Sequence, residues 1–183
     1  MTETLPVTLL TGKPHIGKST VIQKIVELAA SSSGGFYTRE VHANGQRTGF
    51  EIITLGGQSA LLATKNPNTI FTNQIYFGSY KIDLNVVDRV VVPALLEAVD
   101  SKKLVIIDEI GPMEIFSENF CNAVLNIIND PRLVVVGTVV QRSYKFADMI
   151  KAHPRVTIKL VTFENRDSLP AMIYSDLEKY LYV

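Results

Sequence analysis

A glycine-bounded loop near the N-terminus carries the clearest chemical signal. Residues 12–19 have the pattern G-x-x-x-x-G-K-S, which ends in Lys18 and Ser19. Between a strand and a helix, such a loop wraps its backbone amides around phosphate oxygens, and the helix adds free N–H donors and a positive dipole end. Lys18 would reach the β- and γ-phosphates, and the Ser19 hydroxyl would ligate Mg²⁺. The predicted binding residues are Gly12, Lys13, Pro14, His15, Ile16, Gly17, Lys18, Ser19 and Thr20.

Two adjacent acids form the second chemical segment. Residues 104–107 are apolar and are followed directly by Asp108 and Glu109. A short buried strand would place both acids at its carboxyl end, where open parallel sheets bind ligands. Asp108 is then the predicted metal-side residue with Ser19, and Glu109 the predicted group that orients the attacking water or accepts its proton. The alternative is a polar strand end without chemical function.

Alternating strand and helix patterns position these segments. Residues 5–11 predict a buried strand, and residues 19–30 an amphipathic helix. Apolar runs at 104–107, 133–139 and 156–161 alternate with helical patterns at 114–129, 144–153 and 168–181. Continuous Val/Ile/Leu runs separated by helices are typical of strands buried on both faces of a parallel sheet. We therefore predict a three-layer α/β fold with a mostly parallel central sheet.

The segment between the first predicted helix and the apolar run at 104–107 has a different pattern. Asn44-Gly45 and Gly56-Gly57 separate β-rich runs at 36–42, 47–55 and 59–63, which predicts hairpins in an antiparallel meander. A further strand is predicted near 76–82 and a helix over 85–99, where Pro93 fits only at a kink or a helix start. No linker is recognisable, so we expect one domain over 1–183 with an insert at about 35–83.

Composition excludes several classes of protein. Hydrophobic residues make up 46% of the 183 residues, which is enough for a globular core. Eighteen basic residues balance eighteen acidic ones, which argues against a nucleic-acid partner and identifies no protein partner. Cys121 is the only cysteine, and the N-terminus around Glu3 lacks the features of a signal peptide. With no apolar run long enough for a membrane span, a cytoplasmic protein is expected.

Three segments together resemble the THEP-type nucleoside-triphosphatase family. They are the loop at 12–20, the sequence Gly-Phe-Tyr-Thr-Arg-Glu-Val at 35–41 with Gly49-Phe50, and Val-Ile-Ile-Asp-Glu-Ile-Gly-Pro-Met-Glu at 105–114. The resemblance runs from about Val7 to the C-terminal strands. It implies a RecA-like P-loop core and slow, Mg²⁺-dependent release of the γ-phosphate from ATP, GTP and other nucleoside triphosphates, with little base selectivity.

The loop departs from the family pattern at one position. His15 stands where the family usually has glycine. Glycine permits positive φ and close approach of a phosphate, so a side chain at this position is expected to strain the loop or change its fit.

Further residues could stabilise or contact the transferring phosphate. Arginine beside the γ-phosphate can raise the rate by ~10³ to 10⁵, and Arg39, in the family-like segment, is the first candidate for this catalytic role. Arg142 is the second, and Thr138, near the end of an apolar run, could bond the γ-phosphate or its water. Surface ion pairing is the alternative role for both arginines.

Two other functions remain open at this point. A small-molecule or nucleotide kinase would use the same loop with an acceptor hydroxyl or phosphate in place of water. A nucleotide-gated binding protein would use slow hydrolysis to time a partner interaction.

Overall fold

The computed structural model describes residues 4–181, so Glu3 and the outermost residues of the expected 1–183 domain lie outside the described residues. Within that range nine strands form one sheet in the order β5-β6-β4-β3-β2-β7-β8-β1-β9. The strands are β1 Val7–Thr11, β2 Ser33–Ala43, β3 Gln46–Thr54, β4 Ser59–Thr64, β5 Gln74–Phe77, β6 Tyr80–Asp83, β7 Leu104–Ile110, β8 Val134–Val139 and β9 Val156–Leu160. The helices are α1 Lys18–Ala29, α2 Leu84–Val86, α3 Val92–Ser101, α4 Glu118–Asn129, α5 Lys145–Lys151 and α6 Leu169–Leu181, with a π-helical turn at Val87–Val91.

Parallel strands β2, β7, β8, β1 and β9 form one half of the sheet. Their carboxyl ends therefore meet at one edge, where the Thr11 hydroxyl donates to the Val139 carbonyl at 3.1 Å. The loop after β1 and the acids on β7 are brought together at this edge.

The other half of the sheet is antiparallel and continues from β2 through β3, β4 and β6 to β5. Over the described residues the sheet has as many antiparallel pairings as parallel ones, so a mostly parallel sheet is not confirmed. The chain also does not form a simple meander, since β6 lies between β4 and β5. The strand predicted over 76–82 is in fact two strands, because Gly78, at φ 57°, allows a tight hairpin turn.

The helices predicted at 85–99 and from 114 are both present, with adjusted boundaries. The first is helical without a break from Leu84 to Ser101, through α2, the π-helical turn and α3, and Pro93, the second residue of α3, lies just after the π-helical turn, an irregularity of the kind that accommodates a proline within a helix. The helix predicted from 114 begins at Glu118, because the Ser117 side chain caps it by accepting from the Phe120 amide at 3.0 Å. Residues 112–116 form turns instead.

Apolar side chains from alternate strand positions pack on the two faces of the sheet. On β7, Val105 and Ile107 belong to one cluster of buried residues, whereas Leu104 and Ile106 belong to the other. Alternation between two apolar layers is what a strand covered on both faces requires. The sheet is therefore fixed from both sides, and the loops at its edge start from rigid positions.

None of the helices within residues 4–181 combines the length and the apolar character that crossing a membrane would require.

Candidate phosphate-binding and hydrolytic site

The predicted phosphate loop connects β1 to α1. Gly12 has φ 151°, and a β-carbon there would lie 2.9 Å from the Val161 carbonyl oxygen. Gly17, at φ 105°, is the N-cap of α1, and no described side chain caps that helix. The first amides of α1 are therefore free to donate to an anion. Lys18 folds back over the loop, where its Nζ donates to the carbonyl oxygens of Gly12 at 3.2 Å and Lys13 at 3.4 Å.

His15 adopts the conformation that glycine favours. Its φ is 62°, in the left-handed region, where a non-glycine residue is strained. Its side chain, 63% exposed, points towards β2 and β3, with Nδ1 3.5 Å from Glu40 Oε1. The Nη1 atom of Arg47 lies 3.4 Å from His15 Nε2. The His15 side chain thus connects the loop to Glu40 and Arg47 in the antiparallel half of the sheet.

Asp108 and Glu109 lie near the carboxyl end of β7, opposite Lys18. Asp108 is buried, and its Oδ1 accepts from the Thr138 hydroxyl at 2.5 Å. Burial raises the pKa of Asp108, while Thr138, Ser19 and Lys18 favour its charged form. Glu109 Oε1 lies 4.0 Å from Lys18 Nζ. The pKa of Glu109 is also raised by burial, which the positive charge of Lys18 opposes.

The donor set beside the loop fits a divalent cation. Among residues 4–181, Oδ2 of the buried Asp108 has no hydrogen-bond partner. An unpaired carboxylate oxygen in the interior is costly unless a cation or water completes its shell. Ser19 favours the charged form of the same Asp108 carboxyl group, and its hydroxyl oxygen is of the hard type that Mg²⁺ prefers as a ligand. Thr138, which the sequence offers as a contact of the γ-phosphate or its water, donates its hydroxyl to the other oxygen of Asp108.

Glu114 is a buried acid that the sequence did not single out. Its side chain is 2% exposed. The carboxyl groups of Glu114 and Glu109 both lie beside Gly111: a β-carbon on this glycine would be 3.0 Å from Glu114 Oε2 and 2.9 Å from Glu109 Oε2. Burial, with the charges of Glu109 and Asp108, raises the pKa of Glu114 to about 8. The group is therefore mostly neutral at pH 7. Its place in the 105–114 segment was visible in the sequence, but its burial was not.

Arginines on β2 and β3 border the same cavity. Arg39 lines it, but the Arg39 guanidinium is bound to Glu51, with Nη2 2.6 Å from Oε2. Arg47 donates to Glu40 at 2.7 Å and to the Tyr80 hydroxyl at 3.0 Å, and it packs 4.9 Å from the centre of the Phe50 ring.

The sequence did not identify Arg47, Glu40 or Tyr80 as site residues. Hairpin pairing brings Arg47 close to Glu40, and the loop meets both of them only in the folded chain. Arg142, the second arginine candidate, lines the cavity from the segment that follows β8.

These groups surround a cavity of about 820 Å³. The phosphate loop, β2 and β3, the 108–114 segment and residues 140–142 contribute to its wall. A cavity of this volume is in the range that holds a small organic ligand as well as phosphate groups.

Comparison with known proteins identifies close relatives. Nucleoside-triphosphatase THEP1 from Aquifex aeolicus is 36% identical over 179 residues, which cover 93% of this chain and 98% of the relative. The mouse cancer-related nucleoside-triphosphatase homolog is 36% identical over 171 residues, or 87% of this chain and 90% of the relative. The crystal structure of THEP1 from Aquifex aeolicus matches with a TM-score of 0.81 and 33% identity, covering 97% of this chain and all of that one.

The nine-stranded sheet and the loop at its edge define a mixed α/β protein with a phosphate-loop sequence. A family model described as NTPase matches residues 7–174. The chain belongs to this family, which includes the THEP1 nucleoside-triphosphatases.

Proposed function

We propose that the protein is a Mg²⁺-dependent nucleoside-triphosphatase that releases the γ-phosphate of ATP, GTP and other nucleoside triphosphates with little base selectivity. The observation that carries the proposal is the arrangement of Lys18 against the acid pair, with Lys18 Nζ 4.0 Å from Glu109 Oε1. The names of the relatives support hydrolysis of nucleoside triphosphates. The position of β8 between β1 and β7 supports the RecA-like arrangement that the resemblance implies, and we propose one domain for the whole chain.

The chain's own residues divide the reaction between binding and proton transfer. The free amides at the start of α1 and the Lys18 ammonium bind the phosphates and stabilise the negative charge that develops on them. Water attacks the γ-phosphorus, the bond to the β–γ bridging oxygen breaks with its electrons on the diphosphate, and Glu109 takes the proton of the water. A carboxyl whose pKa is raised by burial is a better base near neutral pH than an exposed one.

Asp108 and Ser19 would hold Mg²⁺ beside this position. The ion supplies charge neutralisation on the phosphate oxygens when bound. Thr138 fixes the orientation of Asp108 through its 2.5 Å hydrogen bond.

Three arginines that line the cavity are candidates for the charge-stabilising role: Arg39, Arg47 and Arg142. Arg39, the first choice from sequence, is paired with Glu51, and Arg47 is paired with Glu40. Arg47 is also 3.4 Å from His15 and so lies against the loop itself. This contact with the loop favours Arg47, and an alanine variant of each arginine separates the three.

The decisive experiment is phosphate release by a Glu109→Gln variant. We expect this variant to bind MgATP as the wild type does while turnover falls ~10²-fold or more, because only the proton acceptor is lost. Lys18→Ala is the control for binding, and omission of Mg²⁺ with EDTA is the control for the cation. Unchanged phosphate release by Glu109→Gln would remove Glu109 from the mechanism.

The volume of the cavity also supports a second candidate, a phosphotransferase. A cavity of about 820 Å³ has room for an acceptor molecule beside the phosphates. Labelled ATP with added nucleosides and nucleoside monophosphates separates the two activities, because a kinase moves the label to the acceptor and a hydrolase releases it as phosphate.

A further inference from the structure

The phosphate loop has a second neighbour on the side away from the acids. The segment after β9, residues 161–168, is fastened to both ends of the loop. The Val161 amide donates to the Thr11 carbonyl at 2.8 Å, directly before the loop begins. At the other end, Arg166 Cδ lies 3.6 Å from the position that a β-carbon on Gly17 would take. Residues of this segment are therefore held at fixed places beside the phosphate loop.

The segment is ordered by its own hydrogen bonds. The Asn165 side chain accepts from the Thr162 amide at 2.8 Å and donates to the Leu160 carbonyl at 2.9 Å. The Arg166 amide donates to the Thr162 carbonyl at 3.1 Å. A surface built in this way loses little conformational entropy when a ligand binds to it.

Two side chains of this segment form a flat pair, of which Phe163 is exposed and Arg166 is half-buried. The Arg166 guanidinium carbon lies 4.9 Å from the centre of the Phe163 ring, and Phe163 is 68% exposed. Arg166 Nη1 also reaches the Ile16 carbonyl at 3.5 Å. An aromatic ring backed by a guanidinium is the kind of surface on which nucleobases stack.

The orientation expected for a bound nucleoside triphosphate places its nucleoside end near this pair of side chains. Its γ end lies towards Lys18 and the acids, so its α-phosphate lies at the start of α1 near Thr20. Beside Thr20 there is a cavity of about 190 Å³, which Gly17, Lys24, Arg166 and Asp167 help to line. This volume is below the ~300 Å³ of ordinary small-molecule pockets, so it accommodates the sugar and leaves the base outside. Arg166 lines this cavity and packs on the Phe163 ring, so the Arg166–Phe163 pair adjoins the cavity.

We propose that Arg166 and Phe163 form the stacking platform for the base of the bound nucleoside triphosphate. The inference rests on the proposed function and adds the position of the base. Stacking accepts purines and pyrimidines alike, because every base has a π face. The charged groups that line the small cavity beside the platform, Lys24 and Asp167, are on exposed side chains, which do not form a rigid pattern for reading base edges.

A binding comparison with and without a base tests the platform. Phe163→Ala, which removes the ring without touching the phosphate loop, should weaken the binding of Mg complexes of ATP, GTP, CTP and UTP by similar factors, about 5- to 150-fold, since one stacked base contributes that much. Binding of magnesium tripolyphosphate, which has no base, should stay within twofold of the wild type. Nucleotide affinities that do not change would overturn the platform, and so would an equal loss for tripolyphosphate.

A fluorescent variant provides a second measurement that does not depend on removing a side chain. The chain contains no tryptophan, so Phe163→Trp introduces a single probe at an exposed position. MgATP should quench its emission and magnesium tripolyphosphate should not. Tyr76→Trp is the matched control, because Tyr76 is 67% exposed on β5 at the opposite edge of the sheet, and its emission should not change.

The two proposals fail in different ways. If the wild type binds neither tripolyphosphate nor nucleotides, both are wrong. If the wild type binds nucleotides and MgATP leaves the emission of Phe163→Trp unchanged, the platform is wrong and the proposed function stands.

Discussion

Replacement of Glu114 by glutamine tests the electrostatics of the acid cluster most directly. The pKa of this carboxyl group is raised from the ordinary 4.5 to about 8, by burial first and then by Glu109 and Asp108. Between pH 4.5 and 8 the folded protein therefore holds a proton that the unfolded chain releases. This proton stabilises the fold fully at low pH, and its contribution is lost as the pH rises towards 8.

The magnitude follows from the size of the shift. One pKa unit corresponds to about 1.4 kcal/mol, so the wild type should lose up to about 3 kcal/mol of unfolding free energy from this group between pH 5 and 7. Glutamine has a similar shape and no titrating proton, so Glu114→Gln removes this slope. The stability of the variant relative to the wild type should therefore rise with pH and level off above about pH 8.

Urea unfolding followed by circular dichroism from pH 5 to 9, in EDTA and without nucleotide, measures this difference. Glu97→Gln is the matched control, because Glu97 is an exposed glutamate on α3. Its difference from the wild type should stay constant with pH. Parallel pH profiles for Glu114→Gln and the wild type would show that Glu114 is not a buried neutral acid and would refute the reasoning.

Three further predictions follow from the site. Arg47→Ala should lower the turnover of nucleoside triphosphates, measured by phosphate release, at least tenfold, and Arg39→Ala should lower it less. A larger loss in Arg39→Ala would identify Arg39 as the catalytic arginine. His15→Gly should have a melting temperature within a few degrees of that of the wild type. His15→Val should lose about 1–3 kcal/mol of unfolding free energy, measured by thermal or urea unfolding, because a β-branched residue is strained at φ 62°. Equal stability of the two variants would contradict a left-handed conformation at this position. Thr138→Val removes a hydrogen bond to the buried Asp108, so it should cost about 1–3 kcal/mol of unfolding free energy and weaken Mg²⁺ binding measured by calorimetry. An unchanged Mg²⁺ affinity would show that Thr138 does not position Asp108.

The sequence predicted those parts of the site that depend on local pattern. The loop at 12–19 was recognised from residue types at fixed spacing, and Asp108 and Glu109 from an apolar run that ends in two acids. Both signals come from a few adjacent residues, and the structure places both segments at the same sheet edge, with the Lys18 ammonium facing Glu109.

What the sequence did not predict depends on contacts between distant residues. Arg47 is 32 residues from His15, and no periodic pattern indicates that a hairpin brings them within 3.4 Å. Glu114 is buried in the turns at 112–116, whereas the apolar pattern predicts a helix from 114; the structure begins that helix only after the Ser117 cap. The hairpin at Gly78 has a local signal, since Gly-Ser between two β-rich runs is typical of a two-residue turn, and a single strand over 76–82 does not account for it.

Strand β2 belongs to both halves of the sheet at once. Its Ser33–Tyr37 portion pairs with β7, and its Phe36–Ala43 portion pairs with β3, so two residues are bonded on both sides. The antiparallel part is therefore not a module that can be excised at a flexible joint. Its removal would leave β2, the strand that lies beside Asp108 on β7, without its partner β3, and any bending of β2 would alter the approach of Arg47 to the loop. Movement of one half of the sheet against the other would have to break the pairing of β2, so we do not expect the two halves to swing as separate lobes when substrate enters.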